Sequence, residues 1–308
     1  MRKRKTAMQK SDLLKYRVPK LSAGRRVRSI LQYEFGLSRA LIQRLRDNDR
    51  VRLDGNPVFL TRIATPGELI TVDLDFAEES YILPERMDLD IVGEDQDFLA
   101  LNKPAGVLIH PVGKEITGTL ANGVIHYWLS QGVYAKFRPI HRLDRNTSGL
   151  VLIGKNQFAH QSLYNQFHNH SVEREYAALV EGVFDAPAGT VNAPIARKPA
   201  SIVERWVSPE GQPAITHFQV VETYDKVSLI RLQLETGRTH QIRVHMRHIG
   251  HPLLGDTLYG GKDTLITRQA LHSCRFQFIH PRSKETVSYT ADLTPDLQRL
   301  ISLLTKGF

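Results

Sequence analysis

Between Gly149 and Gly154 the chain runs Leu150, Val151, Leu152, Ile153, four apolar residues with no polar alternation. A run that short, bounded by glycines, reads as a buried strand, and the polar cluster in front of it must be a loop. Asp144 therefore sits at the mouth of a strand, with Arg142 and Arg145 on either side. Neighbouring cations favour the charged form of a carboxylate, and a charged carboxylate can act as a nucleophile. The same Asp can also simply cap a turn and pair with an arginine, and spacing alone leaves both readings open.

At 308 residues the chain is long enough for about two domains and a sizeable core. Hydrophobic residues make up 41% and charged residues 24%, which excludes wholesale disorder and collagen-like or coiled-coil architecture. No stretch approaches the ~18 apolar residues of a membrane span. The N-terminus is basic, at Arg2, Lys3, Arg4 and Lys5, but lacks the apolar run of a signal peptide, so a cytoplasmic protein with no membrane partner is expected. Cys274 is the only cysteine, which excludes an intramolecular disulfide, a thiolate zinc site and an iron–sulfur cluster. Phosphate-binding, dinucleotide-binding and serine-hydrolase signatures are missing as well.

Charge is unevenly spread. Residues 1–50 hold 15 Lys and Arg against 4 Asp and Glu, a net of +11, whereas residues 73–97 hold 10 acids and one base. Residues 98–308 return to 23 bases against 16 acids. Two basic bodies flanking an acidic connector suit a phosphate-rich partner, because each neutralised phosphate releases condensed counterions.

Within 21–75 the pattern changes from helical to strand-like. Val27, Ile30, Leu31 and Phe35 recur at helical spacing before Gly36. Ser38 is a good N-cap for a second helix whose Ala40, Leu41, Ile42 and Leu45 form the buried stripe, leaving Arg39, Arg44, Arg46 and Arg50 to project. Val51, Leu53 and Val58 around Asp54-Gly55-Asn56, and Leu69 to Val72 after Pro66-Gly67, read as a small set of strands. This stretch resembles the RNA-binding module named after ribosomal protein S-four. The resemblance implies RNA contacts from Arg39, Arg44 and Arg46.

The residues 141–150, His-Arg-Leu-Asp-Arg-Asn-Thr-Ser-Gly-Leu, are similar to the signature of the RluA-type pseudouridine synthases, which isomerise uridine within RNA. Three further segments resemble the same family in the same order: 99–111 with its Lys103-Pro104 turn, 173–182 with Tyr176, and 234–260 with Arg243. Carried over by position, the resemblance implies Asp144 as catalytic carboxylate, Tyr176 as active-site tyrosine and Arg243 as the arginine that pairs with the aspartate, through a bidentate fork. Arg142 is implied to organise displaced nucleotides, with a plain phosphate contact as its alternative, and Lys103 and Arg238 are candidates for phosphate contact or loop support. No cofactor and no metal are implied, and the chain is expected to act as a monomer.

His240, His245, His248 and His251, with Asp256 behind them, offer a rival metal site, but Arg243 and Arg247 would repel a cation from the same turn. A non-catalytic RNA-binding or ribosome-assembly protein is a second alternative. The expected architecture is mixed α/β of the α+β kind: a basic tail (1–20), the S-four-like module (21–75), an acidic linker (76–87), and a catalytic domain (88–304) on a largely antiparallel sheet. Helices are expected at 119–131 and 157–168, and strands at 176–183, 215–221 and 228–234. The expected reaction is uridine to pseudouridine, in ribosomal RNA first and transfer RNA as the alternative.

Overall fold

The computed structural model describes residues 12–22 and 24–307, so most of the basic tail, residues 1–11, lies outside the described residues. The small N-terminal body is built from β1 (Leu13–Arg17), α1 (Val27–Tyr33), α2 (Arg39–Asp47), β2 (Val51–Leu53), β3 (Asn56–Pro57) and β4 (Leu69–Asp73). Its antiparallel sheet runs β1-β4-β2-β3. The Ser38 hydroxyl accepts the Leu41 amide at 3.2 Å and starts α2 as expected. The sheet begins earlier than residue 21, since Leu13 to Arg17 pair residue by residue with Asp73 to Leu69. The alternation Leu14, Lys15, Tyr16, Arg17 is a half-buried strand pattern, which the expected boundary at residue 21 assigned to the basic tail.

The larger body carries β5 (Ile91–Glu94), β6 (Phe98–Lys103), α3 (Leu120–Ser130), β7 (Arg138–Pro139), β8 (Ser148–Gly154), α4 (Gln157–His168) and β9 (Glu173–Glu181). After these come β10 (Ala188–Asn192), the hairpin β11 (Ile195–Arg197) and β12 (Arg205–Val207), β13 (Ile215–Tyr224) and β14 (Val227–Leu234). The chain closes with α5 (Gln241–His248), β15 (Leu271–Ile279), β16 (Thr286–Thr290) and α6 (Pro295–Lys306). Ten strands form one sheet with the central order β10-β13-β14-β9-β15-β8-β6-β5. Every ladder in it is antiparallel except β8 against β15. No helix among the described residues is long and apolar enough to cross a membrane.

β8 is buried along its whole length because both faces of the sheet are covered there. Val151 and Ile153 pack with Leu120, Val124 and Trp128 of α3, while Leu150 and Leu152 pack with Leu163 of α4, Phe276 and Phe278. Each such side chain contributes about 1.5–3 kcal/mol by leaving water. Gly149 has φ +111°, and a Cβ there would stand 2.2 Å from the Ser273 carbonyl oxygen. Only glycine permits that approach of β8 to β15.

The segment 76–95 is less of a free linker than its acidity suggests. Ile91–Glu94 is an edge strand, and Asn122 of α3 donates to the Leu83 carbonyl at 2.8 Å while accepting the chain back through Glu85 N–H to Asn122 O. The Glu78 carboxylate is held by Arg44 of α2 at 2.6 Å and by Arg138 of β7 at 2.5 Å. Burial pushes its pKa up, but the two guanidinium hydrogen bonds outweigh that and leave it below its ordinary value.

Two further contacts seat the small body on the large one. Phe158 of α4 joins the core of the small body. Arg282 bridges the two, donating to Asp12 at 2.5 Å, to the Leu13 carbonyl at 3.0 Å and to both oxygens of Asp97 at 2.7 and 3.0 Å. Asp97 has no exposed surface, so removing its cation leaves a buried carboxylate uncompensated. Arg282→Met is expected to destabilise the protein by about 3–5 kcal/mol, measured by denaturant unfolding.

Candidate active site

Asp144 lies in the loop between β7 and β8, and that loop is fixed from behind by buried side chains. Lys103, at the end of β6, donates to the carbonyls of Pro104, Val107 and Arg145 at 2.8, 2.9 and 2.9 Å. Arg268 donates to the Asn146 carbonyl at 3.2 Å, and Gln269 to the Thr147 hydroxyl at 3.2 Å. The Asp144 carbonyl accepts the Thr147 amide at 3.1 Å, closing the turn. Lys103 is fully buried, so it is no phosphate contact; its three donors are used to hold the loop. Burial pulls its pKa down to about 7, with Arg268 adding to the fall and Asp144 opposing it.

Opposite the loop stands α5, whose first turn is set by Gln241. Its carbonyl oxygen accepts from the Thr236 hydroxyl and the Arg238 amide, and its amide donates to Ile215 O and Thr216 Oγ1. His245 locks the same helix to the sheet, through Thr216 Oγ1 at 2.8 Å and the Ala193 carbonyl at 2.9 Å. With both nitrogens engaged, His245 is structural. Among the described residues, no three His, Cys, Asp or Glu side chains gather as metal ligands would.

Arg243 extends from α5 to Asp144 and donates Nη1 to Oδ2 at 3.2 Å. Its fork is directed elsewhere: Nε and Nη2 grip the two oxygens of Asp256 at 2.6 and 2.7 Å. The expected bidentate pairing with Asp144 is therefore corrected to a single bond, and Asp256 takes the fork. Arg243 and Asp256 are buried, at 7% and 2% exposure. Burial alone would lower the guanidinium pKa; the bonds and charge of Asp256, then the charge of Asp144, reverse that and raise it. The Arg243 guanidinium also sits 4.9 Å from the Tyr259 ring centroid.

The sequence neighbours of Asp144 do not supply its cation. Arg145 pairs with Glu115 at 2.5 Å, and Arg142 is exposed. The cation comes from 99 residues away along the chain. Tyr176 lies on β9 between Leu232 and Ser273 and shares a core cluster with Leu143. Tyr176 is 6% exposed, and burial raises its pKa, Arg174 opposing and Asp144 reinforcing the rise.

The remaining expected contacts differ in kind. Arg238 donates Nε to the Pro213 carbonyl at 3.1 Å and supports its own loop. Arg39 is exposed on α2, and Arg46 is exposed beside Asp47. Arg44 does not project freely; it is bound to Glu78 and lies 4.0 Å from the Phe76 ring centroid.

Sequence reasoning named Asp256 and His240 only as candidate metal ligands, not as neighbours of Arg243, and did not single out Tyr259. A buried arginine that meets a partly exposed carboxylate needs a second, buried anion, and Asp256 is that anion.

Comparison with known proteins shows the family. Residues 97–248 match the family model described as RNA pseudouridylate synthase. The RNA pseudouridine synthase YlyB of Bacillus subtilis is 42% identical over 274 residues, 88% of this chain and 90% of that one. The chain belongs to the RluA-type RNA pseudouridine synthases. Ribosomal large subunit pseudouridine synthase D of Haemophilus ducreyi is 36% identical over 318 residues, covering 98% of this chain and 95% of the relative. Among solved structures, human RNA pseudouridylate synthase domain containing 1 superposes with a TM-score of 0.59 at 29% identity, over 69% of this chain and 87% of that one. As a pseudouridine synthase, the chain is an isomerase.

Asp256→Asn keeps the shape of the anchor and removes its charge, so Arg243 loses its orientation and its better partner. Misplacement of a group at a reacting centre by an ångström costs about 10²-fold in rate. A fall of that order in single-turnover rate is expected, with RNA affinity little changed.

Proposed function

We propose that this enzyme converts uridine to pseudouridine in ribosomal RNA, with Asp144 as the carboxylate at the reacting nucleotide. The observation that carries the assignment is that Asp144, partly exposed at a loop mouth, is bonded to an arginine buried on a second carboxylate. The relative named for the large ribosomal subunit is alignable over nearly the whole chain, including the small N-terminal body, which supports ribosomal RNA over transfer RNA.

The reaction breaks the bond from N1 of uracil to the ribose, turns the base and rejoins it through C5. The C5 proton is lost and N1 gains one, so atoms and electrons balance without an oxidant or reductant. A carboxylate attacks or stabilises the sugar or base while the two are apart. Arg243 fixes the direction in which that carboxylate points. Tyr176 stacks on the extruded uracil, and its phenol, whose pKa burial raises further, assists the proton transfer late in the reaction.

A stacked uridine does not meet Asp144, so the nucleotide is flipped at a cost of roughly a few kcal/mol. Exposed Arg142, two residues from Asp144, organises the displaced nucleotides. Residues 12–75 act as the RNA-binding module, with Arg39 and Arg46 on α2 as phosphate contacts and Arg44 a weaker one because Glu78 already shares its charge. The enzyme works in the cytoplasm as a single chain.

Pseudouridine mapping of total RNA from cells lacking the gene, complemented by the parent or by Asp144→Asn, tests both claims. Sites in large-subunit ribosomal RNA should vanish in the deletion, return with the parent and stay absent with Asp144→Asn. Changes confined to transfer RNA would redirect the target, and restoration by Asp144→Asn would remove Asp144 from the chemistry.

A further inference from the structure

His240 precedes α5 with φ +58° and ψ +19°, the left-handed region that residues with a Cβ rarely occupy. Its ring does not cap the helix, which is the ordinary use of a side chain at that position. The ring instead lies inside the site. Nδ1 is 2.8 Å from the Tyr259 hydroxyl, and Nε2 is 3.6 Å from Asp144 Oδ2, the oxygen that also accepts Arg243 Nη1.

The tautomer follows from the hydrogen bonds. The Tyr259 hydroxyl accepts the Arg205 amide at 2.9 Å, and in the tautomer that also offers Asp144 a donor its own proton goes to Nδ1. Nδ1 is then an acceptor, and Nε2 carries the ring proton and faces Asp144. The remaining charged groups around the ring are Arg243, Asp256 and Arg205. Burial lowers the His240 pKa, with Asp144 opposing and Arg243 adding to the fall, which agrees with a neutral ring.

We propose that His240 is a positioning residue for isomerisation: its Nε2–H, together with Arg243, holds Asp144 Oδ2 and leaves Oδ1 as the oxygen that faces the nucleotide. The line runs from the Arg205 amide through Tyr259 and His240 to Asp144, so the β11–β12 hairpin that supplies Arg205 is mechanically tied to the carboxylate. A separation of 3.6 Å in the free enzyme closes to hydrogen-bond distance when substrate excludes water, as catalytic contacts commonly do. The proposal rests on the reading of Asp144 as the catalytic carboxylate.

The test uses the full-length enzyme under single-turnover conditions, with RNA affinity measured in parallel. Glutamine places an amide N–H where Nε2 stands, whereas asparagine tolerates the left-handed backbone but reaches only the Nδ1 position. His240→Ala and His240→Asn are expected to lose about 10²-fold in rate with affinity unchanged, and His240→Gln to recover to within about fivefold of the parent. Tyr259→Phe should slow the His240 parent but add little to His240→Gln, because the tautomer no longer matters. Equal losses in all three His240 variants, or an alanine variant within about threefold of the parent, would overturn the proposal. Asp144→Asn, run alongside, separates the two claims: turnover by that variant refutes the assignment of Asp144, while its inactivity with an unaffected His240→Ala refutes only the role of His240.

Discussion

The buried ion chain Asp256–Arg243–Asp144 is the constraint around which the rest of the site is arranged. Moving a guanidinium out of water costs several kcal/mol after relaxation, and a buried charge persists only with good partners. Asp256 meets that requirement with both ends of the fork, in a geometry that lysine cannot reproduce. Of the N–H groups left over, one on Nη1 is directed at Asp144. The arrangement thus converts a structural necessity, neutralising a buried arginine, into a fixed position for a partly exposed carboxylate.

The loop that carries Asp144 is restrained by similar means. Three buried groups, Lys103, Arg268 and Gln269, hold its backbone and the Thr147 hydroxyl from the core side. Arg268 is itself anchored on Asp296 at the start of α6, so the C-terminal helix contributes to the order of the loop. Cationic side chains here serve as scaffolding, whereas Arg142 and Arg39 stay exposed and Arg46 is exposed but paired with Asp47.

Much of this was legible in the sequence where local signals decide the outcome. Gln157–His168 forms the helix expected there because Asn156 caps it at the Ala159 amide, and the uninterrupted apolar run of β8 marked a strand covered on both faces. The family resemblance placed Asp144, Tyr176 and Arg243, and the fold brings Asp144 and Arg243 into contact. Long-range pairing was not legible. Arg145 stands next to Asp144 in sequence yet turns to Glu115, while Arg243, far away, supplies the cation. For Lys103 the sequence left phosphate contact and loop support open, and its burial against three loop carbonyls decides for support. Asp256 was visible only as one more candidate metal ligand, since nothing in its own neighbourhood states that a helix 13 residues earlier directs an arginine at it.

Replacement of Arg243 by lysine isolates the geometry of the fork from its charge. Arg243→Lys should retain a folded, RNA-binding protein and lose about 10²-fold or more in the single-turnover rate of pseudouridine formation, because an ammonium cannot grip both oxygens of Asp256 and still hold Asp144. A rate within about tenfold of the parent, at equal affinity, would contradict the account by showing that a point charge suffices where the structure places a fork.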